Sequence, residues 1–400
     1  MSISIQPKTT PIQNDQAALN AAYQIADLAL EQRNLRDQQR LLPHDIIAQL
    51  AAKGLAAIRV PKKYGGAYVS NKTLSQIFRI LAKADANVGQ IPQNGFGVQN
   101  TIRLVGTEQQ KQFVFAEILS GKFLANGGPE RNTHDTQTIS TVLEIKDGHY
   151  SVTGEKFYST GSQFADWLAV KALHPEGHVV LVLVDRHAQG VEVLDDWHGF
   201  GQRTTSSGSV KLDHVKVNPL LVFDERPLTQ QVVIRGAYSQ LLQVAIDVGI
   251  AEAAFQDTLS TIRKARPIAD ANVERASQEP YTIQEVGKLD VLLSAAILLL
   301  EDAAAYLDEL EALAQINEQQ AAEASIRVAE AKIYAHHAAL TISEKLLELG
   351  GSRSSLRQYN LDQHWRNARV HTLHDPVRWK YHALGNYYLN GVHPARHAWI

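Results

Sequence analysis

The hydrophobic positions of this chain change period twice. From about residue 15 to residue 120, apolar side chains recur three and four places apart, as at Leu19, Ala22, Tyr23, Ala26 and Leu30 and again over residues 77–81. That spacing keeps one face of an α-helix apolar. Pro43, Gly54, Pro61, Gly65, Gly66, Pro92 and Gly106 punctuate the stretch, so it is predicted to form several helices. Near Gly121 the texture shifts to short runs rich in Val, Thr and aromatic residues, at 138–146, 150–159, 166–172, 179–185 and 207–217. Turn formers such as Asp147-Gly148, Gly161 and Pro175-Glu176-Gly177 separate them, which predicts a compact β domain. After about Pro227 long helical stripes return. One carries Leu289, Leu292, Leu293, Ala296, Leu299 and Leu300; another carries Val328, Ala331, Ala335, Ala338, Ile342, Leu346 and Leu349 and stops at Gly350-Gly351. Residues 312–324, rich in Ala and Gln, read as a solvated piece of helix. The chain is therefore expected to be mainly α with a central β domain: an N-terminal helical domain over 1–120, a middle β domain over 121–226 and a helical bundle over 227–400.

Composition narrows the function more than the fold. A chain of 400 residues, 44% apolar and 20% charged, suits a globular protein with a sizeable core. Its formal net charge of -3 gives no reason to expect nucleic acid or an anionic membrane as a partner, so a small-molecule partner is expected. With no cysteine, a thiol nucleophile, a disulfide and a zinc–thiolate site are all excluded. The first residues lack the basic start and apolar run of a signal peptide, and no run approaches ~18 apolar residues, so a cytoplasmic location is expected. No Walker A loop, full GxGxxG, GxSxG elbow or HExxH occurs.

Three segments carry more. Lys156-Phe157-Tyr158-Ser159-Thr160-Gly161, then Gly201-Gln202-Arg203-Thr204-Thr205-Ser206-Ser207-Gly208, then Arg366-Asn367-Ala368-Arg369-Val370-His371-Thr372-Leu373-His374-Asp375-Pro376 follow one another within this helix–strand–helix texture. Together they resemble landmarks of the acyl-CoA dehydrogenase superfamily, in the dibenzothiophene-monooxygenase-like branch and its sulfur-acquisition oxidoreductases. The resemblance runs from about Ala17 to His397. It implies an acyl-CoA dehydrogenase-like fold with a β-barrel-like middle domain and a C-terminal four-helix bundle, and a homotetramer as the assembly. It also implies reduced FMN, with FAD as the alternative, supplied by a separate flavin reductase and reacting with O2 through a C4a-hydroperoxyflavin.

The resemblance places residues too. Tyr158, Ser159 and Thr160 would lie beside the flavin ring, and Asn126, in Ala125-Asn126-Gly127-Gly128-Pro129, would face its reactive side. Taken alone, these residues are equally well explained as a packed strand end and a turn. Arg263 and Arg266 would meet flavin phosphate, often from a neighbouring subunit, although two arginines near a helix end are otherwise usually solvated. Gln90, Asn94 and Trp197 would line the substrate pocket, and Gln90 and Asn94, smaller or more polar than the histidine and tyrosine of dibenzothiophene-type enzymes, favour a small sulfone or sulfonate over a tricyclic aromatic.

The dehydrogenases of this superfamily need a glutamate as general base. No Glu follows Glu348, and none lies in residues 234–250, so both places where the family puts that base are empty. Histidine stands there instead: His374 resembles the monooxygenase histidine, with His371 as a second candidate. Convergence of His364, His371 and His374 on a metal lacks an acidic companion at matching spacing, and no metal is expected. Two other readings remain: an FAD-dependent acyl-CoA dehydrogenase with Glu130 or Asp375 as base, and a catalytically silent flavin-binding or scaffold protein.

Overall fold

The computed structural model describes residues 9–397 and 399–400. The chain opens with helices α1 (Asp15–Glu31), α2 (Arg33–Gln39), α3 (His44–Ala52), α4 (Asn71–Ala84), α5 (Ala86–Gln90), α6 (Gln93–Val105) and α7 (Glu108–Leu119). Local chemistry sets their starts. Asn14, Ser70 and Asp85 each accept a backbone N–H of the first turn they precede, and Thr107 with Gln110 closes a capping box on α7. The buried face of α1 is Ala18, Ala22, Ile25 and Ala29; of the expected Leu19, Ala22, Tyr23, Ala26 and Leu30 stripe only Ala22 is fully buried, Leu19 and Ala26 pack partly on the core, and Tyr23 and Leu30 stay more than half exposed. Small alanines let α1 lie close to α4, and the larger side chains are left outward.

The middle of the chain forms one sheet from β1 (Leu124–Gly127), β2 (Val142–Lys146), β3 (His149–Lys156), β4 (Trp167–Leu173), β5 (Val179–Asp185), β6 (Val191–Val193), β7 (Val210–Val217) and β8 (Val222–Asp224). Its order is β6-β7-β3-β2-β4-β5-β8, and β1 pairs parallel to β4 with Asn126 opposite Ala169. The five expected strands are found, trimmed where polar residues begin them: 138–146 becomes Val142–Lys146 and 207–217 becomes Val210–Val217. Three strands of only three or four residues, β1, β6 and β8, had no readable period.

Helices α8 (Pro227–Gln230), α9 (Arg235–Lys264), α10 (Pro280–Glu311), α11 (Glu318–Gly350), α12 (Asp362–Leu373) and α13 (Arg378–Asn390) complete the fold. The long helices α9, α10 and α11 pack with α4 around one core that includes Leu289, Ala296, Leu300, Ala331, Ala338 and Ile342. The apolar stripes of α10 and α11 were read correctly from their spacing. The 312–324 stretch was not a helix throughout: α10 ends at Glu311 and α11 starts at Glu318, because Asn317 caps Gln320 in a capping box. Beyond that cap Ala321, Ala322 and Ala324 are buried.

Two polar clasps fix α12 against the N-terminal helices. Asp37 of α2 pairs with Arg366 at 2.6 Å and accepts from Asn360 at 2.9 Å. Asp257 of α9 meets Arg33 at 3.1 Å and His364 at 2.7 Å. Truncating a filled core position shows how much the bundle depends on that packing. Ile342→Ala, at a side chain fully shielded from solvent, is expected to cost about 2–5 kcal/mol by loss of burial and the cavity left behind. Chemical denaturation checks it, and a loss below about 1 kcal/mol would place Ile342 outside the tight core.

Candidate active site

At the end of β3 the backbone turns through two left-handed residues, Tyr158 at φ +59° and Gly161 at φ +84°. A side chain at 161 would be strained by that φ and would press on the Ile91 carbonyl at 3.3 Å and Ala125 Cβ at 3.4 Å. The turn throws the Tyr158 ring outward, 52% exposed, edge-on to Phe157 at 4.8 Å and to Trp197 at 6.3 Å between centroids. Trp197 is held in place by its Nε1–H, which donates to the Gln202 carbonyl at 2.7 Å.

Asn126 ties this strand end to β1. Its backbone N–H donates to the Thr160 carbonyl at 3.2 Å, its Nδ2 donates to the Tyr158 carbonyl at 3.2 Å, and its Oδ1 accepts from the Gly128 N–H at 3.1 Å. Thr160 Oγ1 lies 2.8 Å from Ser207 Oγ, which lies 2.7 Å from Thr205 Oγ1. Ser207 and Thr205 belong to the loop 201–208, which binds the neighbouring elements together. Gln202 N–H donates to Asn367 of α12 at 2.7 Å, Thr204 N–H to Asn87 of α5 at 3.1 Å, and Gly161 N–H to the Thr205 carbonyl at 2.9 Å.

Beneath the turn, Lys156 and Glu130 form a buried pair at 2.6 Å. Burial works against the Glu130 charge, but bonds from Lys156, Ser140 and Thr141 outweigh it and hold the carboxyl at about 2. Burial lowers Lys156 to about 8 against the pull of Glu130. Glu130 is thus consumed structurally and is a poor base. Asp375 is likewise shielded and paired with Lys380 at 2.9 Å.

The helical side of the site centres on residues that sequence reasoning missed. Asp247 of α9, fully buried, accepts from Lys332 of α11 at 2.7 Å through Oδ2 and meets His371 Nδ1 at 2.5 Å through Oδ1. Burial alone would raise the Asp247 pKa; Lys332 and His371 reverse this and hold it well below the ordinary carboxylate range. His371 Nε2 faces Gln243 Oε1 at 2.7 Å and Gln90 Oε1 at 3.1 Å. Both ring nitrogens of His371 are therefore engaged, and Gln90, expected in the substrate pocket, touches His371. The readable signal was a lone Asp and a lone Lys inside otherwise apolar helix faces, at Ile246-Asp247-Val248 and Ala331-Lys332-Ile333.

His374 closes α12. Its Nδ1 bonds the His371 carbonyl, and among the described residues its Nε2 makes no hydrogen bond. The residue is exposed, next to the buried His371 and Asp375. Burial, reinforced by Lys332 and His371, pushes it down to about 3, so it is neutral at pH 7. Contact runs continuously between the two halves: Gly161 packs on Ile91, and neighbouring Gln90 bonds His371, three residues before His374.

Other expected residues lie apart. Arg263 and Arg266 are exposed at the far end of α9, with Arg263 roughly 24 Å along the helix from Asp247. Asn94 is half-buried near the start of α6. His364 is bound to Asp257 and burial lowers its pKa, so it does not join His371 and His374 at a common point. Among the described residues, His174, Glu176 and His178 come close enough for a metal. There His174 Nδ1 already accepts the Glu176 N–H and Arg226 lies 3.6 Å from the Glu176 carboxylate, which reads as a hairpin closure. A cavity of about 300 Å³ between the starts of α9 and α11 and the C-terminal tail contains none of the proposed residues.

The strand end fits a flavin. An exposed aromatic ring, an amide and two hydroxyls line it, and among the described residues the buried Ser159 Oγ, Thr204 Oγ1 and Gln202 Oε1 have no hydrogen-bond partner. Buried polar groups seldom stay unpaired, so this concentration suits a ligand with a polar edge.

Comparison with known proteins points to one family. Residues 14–122, 129–215 and 241–379 match the family models of the acyl-CoA dehydrogenase N-terminal, middle and C-terminal domains. The chain is 30% identical to dibenzothiophene monooxygenase of Mycolicibacterium goodii, covering 86% of this chain and 87% of that protein. It is 29% identical to a probable FMNH2-dependent monooxygenase, SfnC, of Pseudomonas putida, over 94% and 95%. Among solved structures it superposes on FMN-bound TdsC from Paenibacillus sp. A11-2 with a TM-score of 0.91 and 28% identity, covering 96% of this chain and all (100%) of that one. It also superposes on the methanesulfinate monooxygenase MsuC from Pseudomonas fluorescens with a TM-score of 0.88 and 28% identity, over 96% and 99%.

The buried pair supports a stability prediction. Asp247→Asn leaves Lys332 uncompensated and is expected to cost about 3–5 kcal/mol at pH 7. Because the folded carboxyl lies below its ordinary value of about 4, its contribution is present above that pH and is lost as pH falls further. The gap in denaturation midpoint between wild type and variant should therefore narrow from pH 7 to pH 3.5. A gap independent of pH would contradict the ionised assignment.

Proposed function

Since this chain belongs to the acyl-CoA dehydrogenase family, in its dibenzothiophene-monooxygenase-like branch, we infer that it is a reduced-FMN-dependent monooxygenase acting on a small sulfone or sulfonate. That it is a flavin-dependent organosulfur monooxygenase follows from its relatives and their FMN complexes. The size and class of the substrate are our reading. One observation carries the monooxygenase reading: the carboxylates that could serve as dehydrogenase base are absent or committed, while an exposed histidine, His374, follows α12 with its Nε2 free of hydrogen bonds among the described residues. Proton abstraction beside a thioester needs a free base. Glu130 and Asp375 are each locked to a lysine, and Asp247 is sealed between two partners.

Bound FMN, delivered reduced by a separate flavin reductase, would supply the electrons that activate O2. The chain's own residues hold and orient it. Tyr158 would flank the ring, and Asn126, Ser159 and Thr160 would meet its polar edge. His374 Nε2 would border the reacting centre, and the His371 carbonyl holds His374 through its Nδ1. Trp197, with Asn94 on the helical side, would bound the substrate pocket. The resemblance to a methanesulfinate monooxygenase supports a compact, polar sulfur substrate. Arg263 and Arg266 would reach flavin phosphate of a neighbouring subunit, which fits a homotetramer. Exposed Tyr281, Ile283, Val291 and Leu298 on α10 offer apolar surface for that assembly.

His374→Ala is expected to reduce reductase-coupled oxygenation by about 10²–10⁴-fold while reduced FMN still binds. Unchanged turnover would remove His374 from the reaction. On a panel of sulfur compounds, small sulfones, sulfinates and sulfonates should be turned over and dibenzothiophene poorly, product formation being followed chromatographically. Efficient turnover of dibenzothiophene with none of the small compounds would reverse the substrate assignment.

A further inference from the structure

A run of hydroxyls leads inward from the strand turn. Thr160 Oγ1 lies 2.8 Å from Ser207 Oγ, Ser207 Oγ lies 2.7 Å from Thr205 Oγ1, and Thr205 Oγ1 lies 2.9 Å from the Gln202 carbonyl oxygen. All four residues are buried, and among the described residues no other partner reaches the three hydroxyls.

Each hydroxyl has one proton to donate, and a carbonyl oxygen has none. Three short contacts therefore share three protons, and only one distribution puts a proton in every contact. Thr205 donates to the Gln202 carbonyl, Ser207 donates to Thr205, and Thr160 donates to Ser207. Any other arrangement leaves a pair of buried oxygens facing each other with no proton between them, and an unmade bond in such a place is costly. The anchor is held independently, because the same carbonyl accepts the Trp197 Nε1–H at 2.7 Å, a group that can only donate. Thr160 is held at the other end: its N–H donates to the Tyr158 carbonyl at 2.9 Å and its carbonyl accepts the Asn126 N–H at 3.2 Å. Its hydroxyl proton is thus turned into the loop 201–208, and only lone pairs are left for a ligand at the strand end.

We propose that Thr205 and Ser207 are positioning residues that make Thr160 an obligate hydrogen-bond acceptor, so that this edge of the site recognises reduced FMN in preference to oxidised FMN. Reduction places a proton on the flavin N5, which in the oxidised ring offers only a lone pair; the N3–H is present in both forms and cannot discriminate. An acceptor-only hydroxyl beside N5 matches the reduced ring and opposes the oxidised one. The inference rests on the flavin-dependent monooxygenase reading for what occupies the site, and it deepens that reading: the chain selects the form that a reductase delivers.

The test compares the affinity of the full-length protein for the two forms without turnover. Oxidised FMN is titrated by fluorescence quenching, and the midpoint potential of bound FMN is measured anaerobically. The wild type should bind reduced FMN about tenfold more tightly or better, one hydrogen bond being made in one form and opposed in the other. Thr205→Val leaves the Ser207 proton free to turn to Thr160, whose own proton then points outward. That variant should bind oxidised FMN more tightly and lose the preference, its midpoint potential falling by about 30 mV for each tenfold change. Ser207→Ala, which also releases the Thr160 proton, should shift the ratio in the same direction and serves if Thr205→Val does not fold. A merely structural role would weaken both forms alike, so an unchanged ratio in a folded variant overturns the proposal, as does a wild type that prefers oxidised FMN. A folded wild type that binds neither form would remove the flavin reading and the proposal with it. A ratio that shifts as expected in a protein that oxygenates no sulfur compound would sink the functional reading and leave the hydroxyl chain standing.

Discussion

The structure turns on a buried carboxylate. Asp247 sits where three helices meet, its two oxygens divided between Lys332 of α11 and His371 of α12. A charge there costs several kcal/mol of lost hydration, which only close partners offset. Those partners are 85 and 124 residues away in the chain, so the interaction exists only when the bundle has closed. It sets the rotation of α12, and α12 carries both histidines of the site.

The remaining polar clasps act in the same direction. Asp37–Arg366 and Asp257–His364 hold the outer face of α12, while Asn367 accepts from the loop 201–208 on its inner face. That loop binds the hydroxyl of Thr160, and Thr160 is joined to Asn126 through its carbonyl. The strand end at 156–161 and the histidine helix are therefore parts of one hydrogen-bonded framework. Preorganisation of this kind leaves little to rearrange when a cofactor arrives.

Long-period features could be read in the sequence, and short or long-range ones could not. The stripes of α10 and α11 repeat over many turns, so their spacing survives local noise. On α1 alanine and leucine compete for the same reading, and the core face proved to be the alanine one. The break after Glu311 depended on one capping asparagine in a helix-favouring context. At the site, Asn126, Tyr158, Thr160, His371 and His374 were reached through family resemblance, since each alone reads as an ordinary strand, turn or helix residue. Asp247, Lys332 and Gln243 escaped notice because nothing local says that a charge on α9 meets one on α11.

Loss of the glutamate base and its replacement by a neutral histidine is the central claim, because it separates oxygen transfer from acyl-CoA oxidation within one fold. The direct measurement supplies photoreduced FMN, 18O2 and a small sulfone or sulfinate to the protein and follows the isotope into product by mass spectrometry. One atom of 18O in the product is the predicted result. Unlabelled substrate, together with anaerobic reduction of bound flavin by an acyl-CoA, would contradict the account and restore the dehydrogenase reading.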